Sequence, residues 1–214
     1  MTKGNYVDHD LPEISQVSAQ VEKLVALGVP ELAGHTTESF SNLASELLSS
    51  QGLIAIHPKL VKPSVLAQLM QREGKPGFVV SDLNDLEEFH PIDEVEIPDQ
   101  PLYVIYDVQR GDDMSNWSPV EALPEILSRG RRPLTVSEGI SWLLQQPEAL
   151  DKNRCFMTIA SRKRKTKGQD SRTPAIWISG GTGRDGKTRR GAPKVGWCWA
   201  GNRHTWLGFA STSG

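Results

Sequence analysis

Residues 193–210, PKVGWCWAGNRHTWLGFA, decide how the rest of the chain is arranged. Val195–Ala200 and Thr205–Ala210 read as strands, with Trp197 and Trp199 on one face and Cys198 on the other. Gly201 and Asn202 supply tight-turn chemistry between them, and Arg203 and His204 can extend that turn. The expectation is a closing β-hairpin that carries three tryptophans, Trp197, Trp199 and Trp206. A hairpin there implies a mostly antiparallel sheet in the C-terminal part of the chain.

Working back from that segment, Ala175–Ser179 and Cys155–Ser161 are further strand candidates. Ahead of them, Thr135-Val-Ser-Glu138 fits a capping box and opens a helix striped by Ile140, Leu143 and Leu144. A helix from Pro119 to Leu127 precedes it. "GFVV" at 77–80 and "LYVIYDV" at 102–108 read as buried strands, joined by an acidic, proline-bearing connector over 82–99. The first third is helical. Ile14, Val17, Val21, Leu24 and Val25 form one stripe, and Phe40, Leu43, Ala44, Leu47 and Leu48 form a second. Pro63 opens a third helix, and Leu53–Ile56 is a short strand. The fold expected is α+β, with helices of the N-terminal third and of residues 119–146 packed on the sheet. No flexible linker divides the helical part, 1–76, from the sheet-bearing core, 77–214, so 1–214 reads as one compact domain.

The composition narrows the class. The hydrophobic fraction is 37% and the net charge −2, which excludes a disordered chain. No apolar run approaches the ~18–20 residues that span a bilayer, so no membrane association is expected. The first fifteen residues are polar and acidic and lack a secretory signal. With only Cys155 and Cys198, each inside an apolar or aromatic run, the expectation is reduced thiols in the cytoplasm. His9, His35, His57 and His90 are scattered singly, and Asp112-Asp113 is an adjacent pair. Neither pattern is a metal-ligand spacing, and no cofactor is implied.

The small net charge conceals a division. Residues 1–151 carry −14 and residues 152–214 carry +12. Such halves either neutralise each other within the molecule or present a basic face to an anionic partner. Eleven basic residues crowd two segments, 162–173 and 184–194. Lys163, Arg164, Lys165, Lys167, Arg184, Lys187, Arg189, Arg190 and Lys194 are the candidates for contacting nucleic acid or another polyanion. If the strands pair in sequence order, both segments are loops at one end of the sheet. The alternative is a pocket for a small flat ligand, built from Trp177, Trp197, Trp199 and Trp206 with Asn202, Arg203, His204 and Arg162. Cys198 with His204 also offers a thiol beside a base.

Residues 181–188, GTGRDGKT, match the phosphate-loop pattern letter for letter. A working phosphate loop needs its Gly-Lys-Thr to begin a helix whose amides face the phosphates. Here Gly191 and Pro193 follow so closely that barely one turn fits, which makes the match a decoy.

The strings RPLTVSEGISWLLQQPEAL, AIWIS and APKVGWCWAGNRHTWLGFAS resemble a family of actinobacterial proteins built on a domain of unknown function. The similarity covers roughly residues 77–214. It implies no reaction, cofactor or catalytic residue, and it marks the glycine- and arginine-rich run between Ser179 and Pro193 as an elaboration of this member.

Overall fold

The computed structural model describes residues 11–213. Three short helices come first: α1 (Val17–Ala26), α2 (Val29–Leu32) and α3 (Thr37–Leu43). α1 buries Val17, Gln20, Val21 and Leu24. The buried Gln20 is polar for a reason. Its Oε1 accepts from the Ile54 N–H at 2.8 Å and its Nε2 donates to the Gly52 carbonyl at 2.7 Å, so the side chain completes a strand edge that has no neighbouring strand there. Thr36 caps α3, accepting from the Ser39 N–H at 3.1 Å. The helical stripe expected through Leu48 ends early: α3 stops at Leu43 and Leu48 is exposed.

β1 (Leu53–Ile56) is followed by α4 (Pro63–Leu66), the tight hairpin β2 (Gln71–Arg72) and β3 (Lys75–Pro76), and then β4 (Phe78–Val79). Within the acidic connector lies β5 (Phe89–Pro91), a strand that the connector's charge and prolines conceal in the sequence. β6 (Leu102–Ile105) pairs antiparallel with β1. α5 (Pro119–Ser128), β7 (Arg132–Pro133) and α6 (Val136–Gln145) follow, and Ser118 and Thr135 each form a full capping box with the glutamate three residues on.

The remaining strands are β8 (Cys155–Met157), β9 (Ser161–Lys163), β10 (Arg172–Ile178), β11 (Pro193–Trp199), β12 (Leu207–Phe209) and β13 (Ser211–Thr212). Five strands form the main sheet in the order β12-β8-β10-β11-β4. β8-β10 and β10-β11 are antiparallel, while β12-β8 and β11-β4 are parallel. The other four pairings are all antiparallel, so the α+β expectation holds with a mixed central sheet.

The two faces of that sheet are covered differently. Phe156, Ile176 and Val195 face α6 and the N-terminal helices, within one cluster that runs from Val17 to Ala210. Trp142 of α6 packs on Phe156 with ring centroids 5.2 Å apart. Gly139 permits that approach, because a Cβ there would stand 2.6 Å from Thr158 Cγ2. Cys155, Met157, Ala175, Leu207 and Phe209 face the other way, against Ala122 and Ile126 of α5 and Met114.

The closing hairpin does not form. β11 and β12 are separated by β10 and β8, and β12 lies parallel to β8 in the register Leu207↔Cys155 to Phe209↔Met157. The turn itself is present, with Asn202 N–H donating to the Trp199 carbonyl at 3.0 Å. The chain beyond it is captured by the segment that leads into α5. Val120 N–H donates to the Ala200 carbonyl (3.2 Å) and Asn116 N–H to the His204 carbonyl (2.9 Å). These bonds carry the chain across the α5 face, and Cys155 N–H then meets the Trp206 carbonyl at 2.9 Å.

Candidate functional site

That crossing builds a cleft. The connection 200–206 spans the α5 face of the sheet where α5 itself does not reach, leaving a hollow of about 440 Å³. Trp177, Trp197 and Trp206 line it together with Cys155, Ala175, Cys198 and Leu207, and His204, Asn153 and Arg154 complete the lining. Trp177 lies across Gly196 of the neighbouring strand, where any Cβ would fall 2.4 Å from the ring. Glycine is therefore required there. Lys194 Nζ holds the same ring, 4.4 Å from its centroid. His204 stacks on Trp206 with centroids 4.6 Å apart and 15° between the planes. Trp206 is nevertheless 51% exposed, so much of the indole is free to meet something else.

Of the sequence-predicted pocket residues, Trp177, Trp197, His204 and Trp206 come together in this cleft. The others lie elsewhere. Trp199 packs edge-on against Trp197 with centroids 4.5 Å apart and does not line the hollow. Asn202 points its amide at Cys198 Sγ (3.9 Å), and Arg203 pairs with Glu121 of α5. Arg162 sits on β9 opposite His90, its guanidinium donating to the Asp170 carbonyl at 2.7 Å. Cys155 and Arg154 are not legible as site residues, because only the parallel β8-β12 pairing brings them beside Trp206 and Leu207. Burial pushes the Cys155 thiol up to about 12 and raises the Cys198 thiol as well. Both are therefore protonated at neutral pH, and neither is an activated nucleophile.

Trp177, Trp197 and Gly180 also line a second hollow, of about 450 Å³, that continues from the first. Its walls are charged in pairs: Arg184 with Asp82 at 2.9 Å and Lys194 with Asp185 at 2.6 Å. The combined groove is aromatic at one end and charge-balanced at the other.

The basic segments do not converge on one end of the sheet. They are the stretches before and after β10 and so depart from its opposite ends, with Arg162, Lys163, Arg172 and Lys194 inside strands. The acidic connector lies against them. Lys163 pairs with Asp85 and Glu88 (both 2.8 Å), Arg164 with Asp93, and Lys165 with Asp170 at 3.0 Å. Arg172 forks onto Asp85 (2.9 and 2.6 Å) and Asp170 (3.1 and 3.2 Å). Much of the charge division is thus settled within the molecule. Lys167, Lys187, Arg189 and Arg190 have no carboxylate partner among the described residues.

The 181–188 stretch forms two single 3-10 turns, Gly183–Asp185 and Lys187–Arg189, and no helix follows before β11. Asp185 organises it by accepting from Ser179 Oγ (2.7 Å) and Lys194 Nζ (2.6 Å). With no helix to aim backbone amides at phosphates, the geometry lacks the element on which that chemistry depends. Lys187→Ala should leave the unfolding midpoint unchanged within error. Micromolar, magnesium-dependent ATP binding that this substitution abolishes would contradict the assignment.

Among the described residues, no group of three or more His, Cys, Asp or Glu is placed to hold a metal ion. His9 lies outside the described residues. No described helix is long and apolar enough to cross a membrane. The sequence model of DUF5701, a family of unknown function, matches residues 23–214, and the chain belongs to that family. The match begins well before residue 77, where the C-terminal motifs alone placed it, and takes in the last turn of α1 with the helices that follow. No curated protein and no solved structure matches the chain.

Proposed function

We propose that the chain is a receptor for a small, flat, aromatic ligand, bound in the cleft between Trp177, Trp197 and Trp206. The observation that carries this reading is the half-exposed Trp206 indole. It stacks on His204 and lines a 440 Å³ hollow to which Trp177 and Trp197 also contribute. A hollow of that volume lies within the ~300–1,000 Å³ typical of small-ligand sites, and indole faces favour flat π-systems. Two protonated thiols and apolar Ala175 and Leu207 supply a lining suited to binding rather than to thiol chemistry. The charge-balanced hollow beyond Trp177 would take the ligand's polar substituents. A reducing, cytoplasmic setting suits two free cysteines of which one is buried.

Trp206→Ala should weaken binding of a matching heteroaromatic compound by roughly tenfold or more, since a stacked aromatic contributes ~1–3 kcal/mol. His204→Ala should have a smaller effect in the same direction. Tryptophan-fluorescence titration with a panel of fused-ring heterocycles measures both. Binding that neither substitution alters would place the ligand elsewhere.

A polyanion-binding role is the second reading, favoured by Lys167, Lys187, Arg189 and Arg190, which form no ion pair with a carboxylate among the described residues. Its signature would be binding to DNA or RNA that weakens log-linearly as salt rises.

A further inference from the structure

We infer that a third cleft, separate from the tryptophan site, binds a small organic phosphate monoester. It is a hollow of about 600 Å³ between the β3–β4 segment and the end of the 181–192 stretch. Lys75 and Arg189 supply its charge, Thr188 its hydroxyl, and Pro76, Phe78 and Ala192 its apolar surface. No aspartate or glutamate lines it.

Charge accounting singles this place out. In the 184–194 segment, Arg184 and Lys194 are neutralised by Asp82 and Asp185. Lys187, Arg189 and Arg190 form no ion pair with a carboxylate among the described residues, and of the three Arg189 lines the cleft. Lys75 has none either; its Nζ donates to the Arg190 carbonyl, which uses one of three ammonium protons and fixes the group beside the hollow. The Arg189 guanidinium lies 4.3 Å from the Phe78 ring centroid, so it is anchored on one plane while its N–H edge stays available. Two acidic groups come near, and both are engaged: Glu87 accepts from the Ser64 N–H at 3.3 Å, and Asp185, which feels the Arg189 charge, is held by Ser179 Oγ (2.7 Å) and Lys194 Nζ (2.6 Å).

The donors define the ligand class. An ammonium, a guanidinium edge, the Thr188 hydroxyl and the Gln68 amide, all lining one hollow, suit a head group with three oxygens and up to two negative charges better than a planar carboxylate. The apolar surface of Pro76, Phe78 and Ala192 then takes the body of the molecule. This is not phosphate-loop chemistry: side chains supply the donors, and no magnesium is called for.

Phenyl phosphate is a suitable probe, titrated at low ionic strength into the ¹⁵N-labelled full chain. The expected result is saturable shifts confined to the backbone amides of 64–79 and 187–192. Arg189→Gln should weaken binding about tenfold, as loss of a charged hydrogen bond implies, and Lys75→Gln should weaken it several-fold. Inorganic phosphate and benzoate should each bind distinctly more weakly, and added salt should weaken all three. The preserved spectrum of each variant reports that it is folded. Should Arg189→Gln lose its packing on Phe78, the Lys75→Gln variant carries the same test. Absence of saturable shifts would overturn the assignment. So would shifts that survive in a variant carrying both Lys75→Gln and Arg189→Gln, or benzoate or inorganic phosphate binding as tightly as phenyl phosphate.

Discussion

Replacing Glu138 with alanine should lower the unfolding free energy by about 3–5 kcal/mol, the cost of breaking a buried ion pair from one side. Glu138 is fully buried in the first turn of α6. Its carboxylate accepts five hydrogen bonds: the Thr135 N–H (2.7 Å) and hydroxyl (2.9 Å), the Tyr103 hydroxyl (3.0 Å), and both ends of the Arg132 fork (3.0 and 2.8 Å). One side chain thus caps α6, ties the helix to β6, and neutralises an arginine whose side chain is only 14% exposed. Burial and the neighbouring carboxylate hold the Tyr103 hydroxyl far above its usual range, so it stays a donor. At ~2–4 °C per kcal/mol for a chain of this size, the melting temperature should fall by on the order of 10 °C. Replacing Arg132 and Glu138 together by methionine should recover much of the loss, because no unpaired charge then remains. Urea denaturation measures both. A Glu138→Ala variant within about 1 kcal/mol of the parent would show that the network does not couple α6 to the sheet.

The second large effect is a loss of stability in acid, centred on Arg172. Hydrogen bonding to its guanidinium holds the Asp85 carboxyl down at about 2 and depresses Asp170 further. A carboxylate lowered on folding contributes stability that is complete above its unfolded value near 3.8 and disappears as pH falls through its folded value. Asp85 alone, 16% exposed, contributes roughly 2 kcal/mol by this linkage. The chain should therefore lose stability steeply between about pH 4 and pH 2. Arg172→Met should flatten that slope while lowering stability at pH 7, since Asp85 and Asp170 lose their shared partner. Guanidinium denaturation at a series of pH values would show it. A parent and variant with parallel pH profiles would mean that the Asp85-Arg172-Asp170 bridge contributes nothing.

Both networks explain what was legible in the sequence. The capping box at Thr135–Glu138 is a local pattern, complete within four residues, and it forms as read. The strands at 53–56, 102–105, 172–178 and 193–199 and the helices α1, α5 and α6 follow from local apolar periodicity in the same way. What was illegible depended on distant partners. The turn at Gly201-Asn202 is real, yet the chain after it pairs with β8, some fifty residues earlier, because the α5 approach intercepts it. β5 is three residues inside an acidic connector, and it exists by pairing with β9 under the Lys163 bridges. The charge division was visible as a total, but its internal settlement required knowing that residues 82–93 lie against β9 and β10. The tryptophans are legible as a candidate site, whereas their partners Arg154 and Cys155 come from the start of β8, which no local signal connects to them.

The central claim is that the tryptophan cleft receives a flat ligand, and the most direct measurement observes the indoles themselves. A library of fused-ring heterocycles is titrated while the six tryptophan indole N–H resonances are followed in the ¹⁵N-labelled chain. Saturable shifts at Trp177, Trp197 and Trp206, with Trp142 in the α6 core undisturbed and the response lost in Trp206→Ala, are the predicted result. If no compound moves those three resonances, or if Trp206→Ala leaves the response intact, the cleft is not the binding site.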